Sequence, residues 1–195
     1  MSKIIESRFR VLDITSEDIL LSDLETGPPV YVEKNDSSYT SSIEDTIEEI
    51  EEGNLIEAEI RSESVAQQDS LWFFVSIDIK QKTQFHFIKG ADSHPDIVKS
   101  LKKNLDQTDK DSIMKGIPSN GDRLGYMTVG HDGGNSLWKG LRSGTRSHEK
   151  HLSLLSDIGR PPYQVIYSKD DEHIVFYHFC EKGSKLAEKI IESNT

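Results

Sequence analysis

The sequence lacks a second cysteine, and with Cys180 alone it cannot form an intramolecular disulfide framework. It also lacks any apolar run near the ~18–20 residues that a membrane-spanning helix needs. The opening residues Met1–Glu6 contain no apolar core of a secretory signal. Hydrophobic residues make up 34% of the 195 residues, against ~45–50% in a typical chain when glycine is counted as well. We therefore expect a cytoplasmic protein with one good core or two small ones.

Negative charge is present in excess, and it is concentrated in the first 70 residues. Residues 1–70 contain 18 acidic and 5 basic side chains, a net charge of −13, whereas the whole chain carries −11. Residues 71–120 and 121–160 each carry +2, and residues 161–195 carry −2. Such asymmetry indicates either a solvated surface or a face that meets a partner.

The first half has the pattern of a β-rich unit with one helix. Alternating apolar residues predict strands over 8–14, 18–22, 30–32, 54–61 and 71–79, and Phe85 and Phe87 suggest a further strand. In the fifth strand, one buried face is predicted to hold Leu71, Phe73, Val75, Ile77 and Ile79. A short acidic helix begins near Ser42 and ends at Gly53. This order suits a small OB-like β-barrel, or a half-open sheet with a helical plug.

The second half has a mixed pattern of helices and strands. A helix is predicted after Pro95, followed by a polar linker over 107–120 and a strand over 124–129. Two helical stretches precede a β-hairpin over 163–179, and a last helix follows Gly183. The predicted fold class is α+β, with an acidic OB-like half at 1–90 and an α+β half at 91–195. One compact domain formed by both halves is the alternative.

The first candidate site is a glycine-rich turn at 130–142 that opens a helix. Its backbone N–H groups could face an anion, and cationic side chains follow. The Walker A and G-x-G-x-x-G motifs are both absent, so a plain connection is the alternative. The predicted anion- or ligand-binding residues are Gly133, Gly134, Asn135, Lys139, Arg142 and Arg146.

Other candidate residues carry weaker patterns. His148 and His151 are spaced to share a metal ion, but no third ligand has an evident spacing, and a solvated helix face is the alternative. Trp72 and Phe74 lie opposite the predicted apolar face and would stack nucleic-acid bases if exposed. The alternative is a strand buried on both faces. No hydrolase triad is predicted, because the G-x-S-x-G elbow is absent too. No other catalytic residue and no cofactor is predicted.

Several segments resemble a family of uncharacterised haloarchaeal proteins. The resemblance rests on the residues 10–13 (RVLD), 20–32 (LLSDLETGPPVYV) and 85–88 (FHFI), on Gly125-Tyr126, and on the closing hairpin and helix. It implies a salt-adapted organism and no mechanism, since that family has no assigned activity. The Debye length at ~1 M salt is only ~3 Å, so the acidic surface would neither attract nor repel partners at a distance. Its role would then be to keep the surface hydrated in salt.

Two functional hypotheses follow from these patterns. The first is a non-enzymatic binding or interaction protein in a salt-adapted cytoplasm, with an unidentified protein or RNA as partner and no membrane association. The second is a small enzyme, or a binder of a phosphorylated or carboxylated metabolite, that uses the segment 130–146. An uncovered edge of the hairpin 163–179 would also allow two chains to pair as a homodimer.

Overall fold

The computed structural model describes residues 3–25, 27–63, 71–89, 94–119, 121–132, 136–170 and 172–194. The chain forms two compact units: residues 1–83 with 142–147, and residues 84–141 with 148–195. Each unit contains one sheet, and helices accompany both, which confirms the α+β class. The division into halves at residue 90 stays a prediction. In the described part of the chain, no helix is long and apolar enough to cross a membrane.

The first unit is a five-stranded sheet that closes on itself, in the order β1-β2-β3-β5-β4. Strand β1 is long enough to pair antiparallel with β2 at one end and with β4 along its other side. The elements are β1 (Lys3–Ile14), β2 (Asp18–Asp23), β3 (Val30–Glu33), helix α1 (Ser41–Glu49), β4 (Leu55–Glu63) and β5 (Leu71–Gln81). The predicted strands of this half and its helix are confirmed.

The closure between β3 and β5 depends on a tyrosine. These strands are parallel and pair at Val32 and Trp72. Beyond that point the Tyr39 hydroxyl donates to the Glu33 carbonyl at 2.6 Å and accepts the Phe74 N–H at 3.2 Å. Burial raises the pKa of Tyr39 to about 12, so the hydroxyl stays a donor at neutral pH. One side chain therefore bridges the gap that the diverging strands leave.

A β-bulge in β5 overturns the predicted burial pattern of that strand. Phe74 pairs with Ile60 and Ser76 with Glu59, so Val75 is an extra residue without a partner on β4. The side chains of Trp72 and Phe74 therefore face the interior, and after the bulge Ile77 does so instead. Leu71 and Val75, which were predicted to be buried, are each 44% exposed.

The segment Arg142–Ser147 belongs to the first unit although it lies far along the chain. Gly144 has a φ of +73°, in the left-handed region that favours glycine. A Cβ atom at this position would lie 2.4 Å from the Leu12 side chain and 2.8 Å from Pro29. The segment is thus packed against the N-terminal strands without room for a larger residue.

The second unit has a five-stranded sheet in the order β6-β9-β10-β8-β7. A 3-10 turn (Glu181–Gly183) precedes its last helix. The elements are β6 (Thr83–Lys89), α2 (Asp96–Leu105), β7 (Ser112–Ser119), β8 (Asp122–His131), α3 (Ser136–Arg142), α4 (Glu149–Ser156), β9 (Tyr163–Lys169), β10 (His173–Phe179) and α5 (Ser184–Glu192).

The central strand β10 is buried along its whole length. Val175, Tyr177 and Phe179 pack with residues of α2 and α5 in one apolar cluster. On the other face, Phe176 and His178 contact the rings of Tyr167 and His151. Gly125 on β8 sits opposite this strand, and an added Cβ would lie 1.9 Å from the His178 carbonyl oxygen. Only glycine fits at this position.

Two predictions about this half are wrong. Residues 112–119 of the predicted polar linker form strand β7, which pairs with β8 and leaves most of its side chains at an exposed sheet edge. Edge strands carry polar side chains on their solvated side, so they show little apolar alternation. The hairpin 163–179 also has no uncovered edge, because β6 flanks β9 and β8 flanks β10. The predicted route to a homodimer is therefore closed.

Candidate functional site

The outer face of the closed sheet exposes apolar side chains. Four of the six large apolar side chains that the described residues expose belong to the first unit: Ile4 (58%), Tyr31 (60%), Leu71 (44%) and Val75 (44%). Tyr31 and Leu71 precede the paired residues Val32 and Trp72, so they lie side by side on neighbouring strands. We call these four residues the apolar patch.

Carboxylates lie on the same strand faces as members of the apolar patch, two residues further along the chain. Glu6 lies two residues beyond Ile4, and Glu33 two residues beyond Tyr31, so each shares the face of its apolar neighbour. Glu6 also pairs with Glu59 across β1 and β4, and both line a groove of about 180 Å³ with Glu57. The whole first unit contains 19 acidic and 9 basic residues, a net charge of −10.

The second unit brings two histidines and an aspartate together at one end of its sheet. Asp106 ends helix α2, His131 ends β8 and His173 begins β10. His173 and His131 are directly paired across the two strands, and their ring centroids are 5.3 Å apart. His173 Nε2 donates to Asp106 Oδ1 at 2.8 Å. One potential ligand atom from each residue lies within 4.8 Å of the other two.

Two ion pairs surround this cluster. Lys102 Nζ lies 2.5 Å from Asp170 Oδ2, and Lys169 Nζ lies 2.5 Å from Asp132 Oδ2. Burial acts to raise the pKa of Asp170, but hydrogen bonds from Lys102 and from the backbone N–H groups of His173 and Glu172 outweigh it and lower that pKa to about 2. Asp170 is therefore ionised, and its Oδ1 lies 3.8 Å from His173 Nδ1.

The predicted anion site lies only partly within the described residues. Gly133, Gly134 and Asn135 lie outside the described residues. Lys139 is exposed on α3 in the second unit, whereas Arg142 and Arg146 belong to the first unit. Arg142 interacts electrostatically with Glu52, whose pKa is raised by burial and by a hydrogen bond with Asp13. The proposed role of 130–146 in binding a metabolite stays a prediction.

The predicted metal pair is not available for a metal. The ring of His148 is buried, its Nδ1 bonds the Tyr167 hydroxyl and its Nε2 bonds the Leu141 carbonyl oxygen at 2.9 Å. His151 instead stacks on His178, with ring centroids 5.3 Å apart. Because both nitrogens of His148 are occupied, the pair at i and i+3 serves the packing of the second unit.

The predicted stacking residues face the interior of the closed sheet. Phe74 is 4% exposed and packs among core residues, so its ring cannot stack on a base. Trp72 is half-buried, and Lys3 Nζ lies 6.0 Å from its ring centroid. Among the described residues of this region, the exposed aromatic side chain is Tyr31.

Sequence patterns missed the histidine–aspartate cluster because its members come from three distant segments. His131 lies within the glycine-rich turn at 130–142, but no sequence pattern links it to Asp106 or His173. Strand pairing brings the last residue of β8 opposite the first residue of β10, and helix α2 ends beside them. A prediction that the strand at 124–129 pairs with the hairpin would have placed both histidines at one sheet end.

Comparison with known proteins places the sequence in a family. Residues 1–193 match a family of unknown function, DUF6663. The chain belongs to this family. The match covers both units of the chain. No curated protein and no solved structure matches the chain. Membership therefore agrees with the predicted unknown function, and the haloarchaeal assignment stays a prediction.

Proposed function

We propose that this protein is a non-enzymatic binding protein whose first unit is an OB-like module that holds a basic segment of a protein partner. The observation that carries this proposal is the apolar patch, which is exposed on a unit of net charge −10. Isolated apolar side chains on a surface need no explanation, whereas Tyr31 and Leu71 are exposed side by side on the adjacent strands β3 and β5. Such a pair on a unit with charge of one sign is typical of a contact face.

The OB-like assignment is supported by the connectivity of the first unit. Three antiparallel strands come first, a helix separates the third strand from the fourth, and the fifth strand runs parallel to the third. OB-folds bind ligands through the face of their second and third strands and through neighbouring loops. Tyr31, the most exposed member of the apolar patch, lies on the third strand.

The chemistry of the patch favours a partner that alternates apolar and basic residues. A strand advances about 6.6–6.8 Å over two residues, which is the separation between Ile4 and Glu6 and between Tyr31 and Glu33. An extended segment with the same period can meet an apolar residue and a carboxylate in turn. Nucleic acid is disfavoured, because its phosphates would meet a unit of net charge −10.

Affinity capture from a lysate of the source cells at native salt tests this proposal. The bait is the full-length protein, and parallel baits carry Tyr31→Ser with Ile4→Ser, or Glu6→Gln with Glu33→Gln. We expect one protein with a basic segment to be retained by the wild type, and each double variant to weaken its binding about tenfold or more, since a hot-spot side chain costs about 2 kcal/mol or more when it is truncated.

The matched control is Met114→Ser, which removes an apolar side chain that is 52% exposed in the second unit. Retention of the same partner by this variant is expected. A partner that binds all the variants equally would contradict the proposal. Captured material that disappears on RNase treatment would contradict it as well, because the partner would then be RNA.

A further inference from the structure

We propose that Asp106, His131 and His173 form a binding site for a divalent transition-metal ion. The three side chains offer two imidazole nitrogens and a carboxylate oxygen, each within 4.8 Å of the others. Two ligands at ~2.0–2.1 Å from a tetrahedral ion lie about 3.3 Å apart. Side-chain rotations that bring the ligand atoms of Asp106, His131 and His173 about 1–1.5 Å closer together would therefore let all three bind one ion. The site lies in the second unit and is independent of the proposed partner-binding face.

The backbone around each residue is fixed by hydrogen bonds. His131 N–H donates to the Asp111 carbonyl at 3.2 Å, and Asp106 N–H donates to the Lys102 carbonyl at 3.0 Å. His173 is held by its N–H bond to Asp170 Oδ1 at 2.7 Å. Ligands on element ends with fixed backbones lose little freedom on binding, so the metal meets a largely formed site.

The ligand set selects the class of metal. Imidazole nitrogen suits zinc, iron, nickel and copper, whereas magnesium and calcium take oxygen ligands. Three protein ligands leave at least one position open, and Asp106 and His131 are exposed, so that position faces solvent. A zinc-class ion with a water or a further ligand in the open position matches this arrangement.

Charges around the site are balanced for a cation. The two neighbouring lysines, Lys102 and Lys169, are each held by a carboxylate of their own, Asp170 and Asp132. Asp170 also faces the nitrogen of His173 that lies away from Asp106. A metal bound at Nε2 would replace the proton that Nε2 now donates to Asp106. The Asp170 carboxylate, 3.8 Å from Nδ1, then favours the tautomer with the remaining proton on Nδ1. Asp170 is thus a positioning residue for His173.

The test uses full-length protein purified without a histidine tag and stripped with EDTA. Isothermal titration with ZnCl₂ is expected to give one ion per chain, and CoCl₂ is expected to produce the visible absorption of tetrahedral cobalt. Asp106→Asn and His131→Gln change exposed side chains, and each is expected to weaken zinc binding at least tenfold. Asp170→Asn is expected to weaken it by about 10–100-fold, as outer-shell changes do.

Two matched controls replace similar side chains outside the site. Asp109→Asn removes an exposed carboxylate three residues beyond Asp106, and His151→Gln removes one member of the histidine pair suggested by sequence. Both should bind zinc as the wild type does. The proposal is overturned if zinc does not bind, if Asp106→Asn and His131→Gln leave binding unchanged, if His151→Gln abolishes it, or if Mg²⁺ competes at equal concentration.

Discussion

At the scale of single residues, His178 is a polar group enclosed by aromatic rings. It is 2% exposed, and its Nε2 has no hydrogen-bond partner among the described residues. Burial, with smaller contributions from His151 and His148, lowers the pKa of His178 to about 3. The folded protein therefore holds this imidazole neutral, whereas the unfolded chain protonates it below pH ~6.5.

This difference predicts a loss of stability in mild acid. Because the pKa is depressed in the folded state, the unfolded state binds the extra proton as pH falls from ~6.5 towards 3. At pH 5 this histidine alone costs about 2 kcal/mol of unfolding free energy. Between pH 7 and pH 5, the unfolding free energy of His178→Phe, measured in urea, should fall by about 2 kcal/mol less than that of the wild type. Equal losses in the two proteins would show that His178 is not the source.

At the scale of elements, helix α1 has charges that suit one of its ends and oppose the other. Glu44 lies in its first turn, where a carboxylate favours the positive end of the helix dipole, and its last turn has no basic residue. Glu48, in that last turn, faces the negative end. The helix is therefore held by burial of Ile47 and by its connection to the sheet more than by its own charges.

Two charge reversals on α1 separate this dipole effect from the general acidity. Glu48→Lys and Glu44→Lys change the net charge equally, and both side chains are exposed. We expect Glu48→Lys to be more stable than Glu44→Lys by about 1.2–4 kcal/mol, because an interaction worth about 0.3–1 kcal/mol has the opposite sign in the two variants at each of the two positions. Urea unfolding at low salt measures the difference. Indistinguishable variants would mean that the dipole has no measurable influence here.

Elements with strong local patterns were predictable from sequence, and those defined by pairing were not. Strands β1 and β4 alternate cleanly and the hairpin β9–β10 has a polar turn, so each was found. Strand β7 was missed because it is an edge strand with few apolar residues. The bulge at Val75 was missed because apolar residues continue to alternate through it in the sequence. Only the register with β4 reveals the extra residue. The histidine–aspartate cluster was missed for the same reason.

At the scale of the whole molecule, the uneven charge predicts a dependence of stability on salt. The first unit carries −10 of the net −11, so its carboxylates repel one another in dilute buffer. The Debye length falls from ~10 Å at 0.1 M to ~3 Å at 1 M salt, which screens this repulsion. We expect NaCl between 0.05 and 1 M to stabilise the protein by about 1–2 kcal/mol, a rise in Tm of about 2–8 °C.

A charge variant provides the comparison for the salt series. Glu48→Gln combined with Glu51→Gln removes two exposed carboxylates from the first unit, and it should show a smaller rise in Tm over the same range. An unchanged Tm of the wild type across the series would contradict this account of the acidity. The result bears on habitat too, since a protein adapted to salt should reach its full stability only at high ionic strength.

The segment Arg142–Ser147 has a consequence for how the protein is made in the cell. Translation delivers β1 to β5 first, but the first unit lacks its last segment until residue 147 has left the ribosome. Residues 84–141 are synthesised in the interval, which takes several seconds at about 5–20 residues per second. During that interval Leu12 and Pro29 lack the backbone of Gly144 beside them. The nascent chain thus carries an incomplete N-terminal unit while most of the second unit is still being produced.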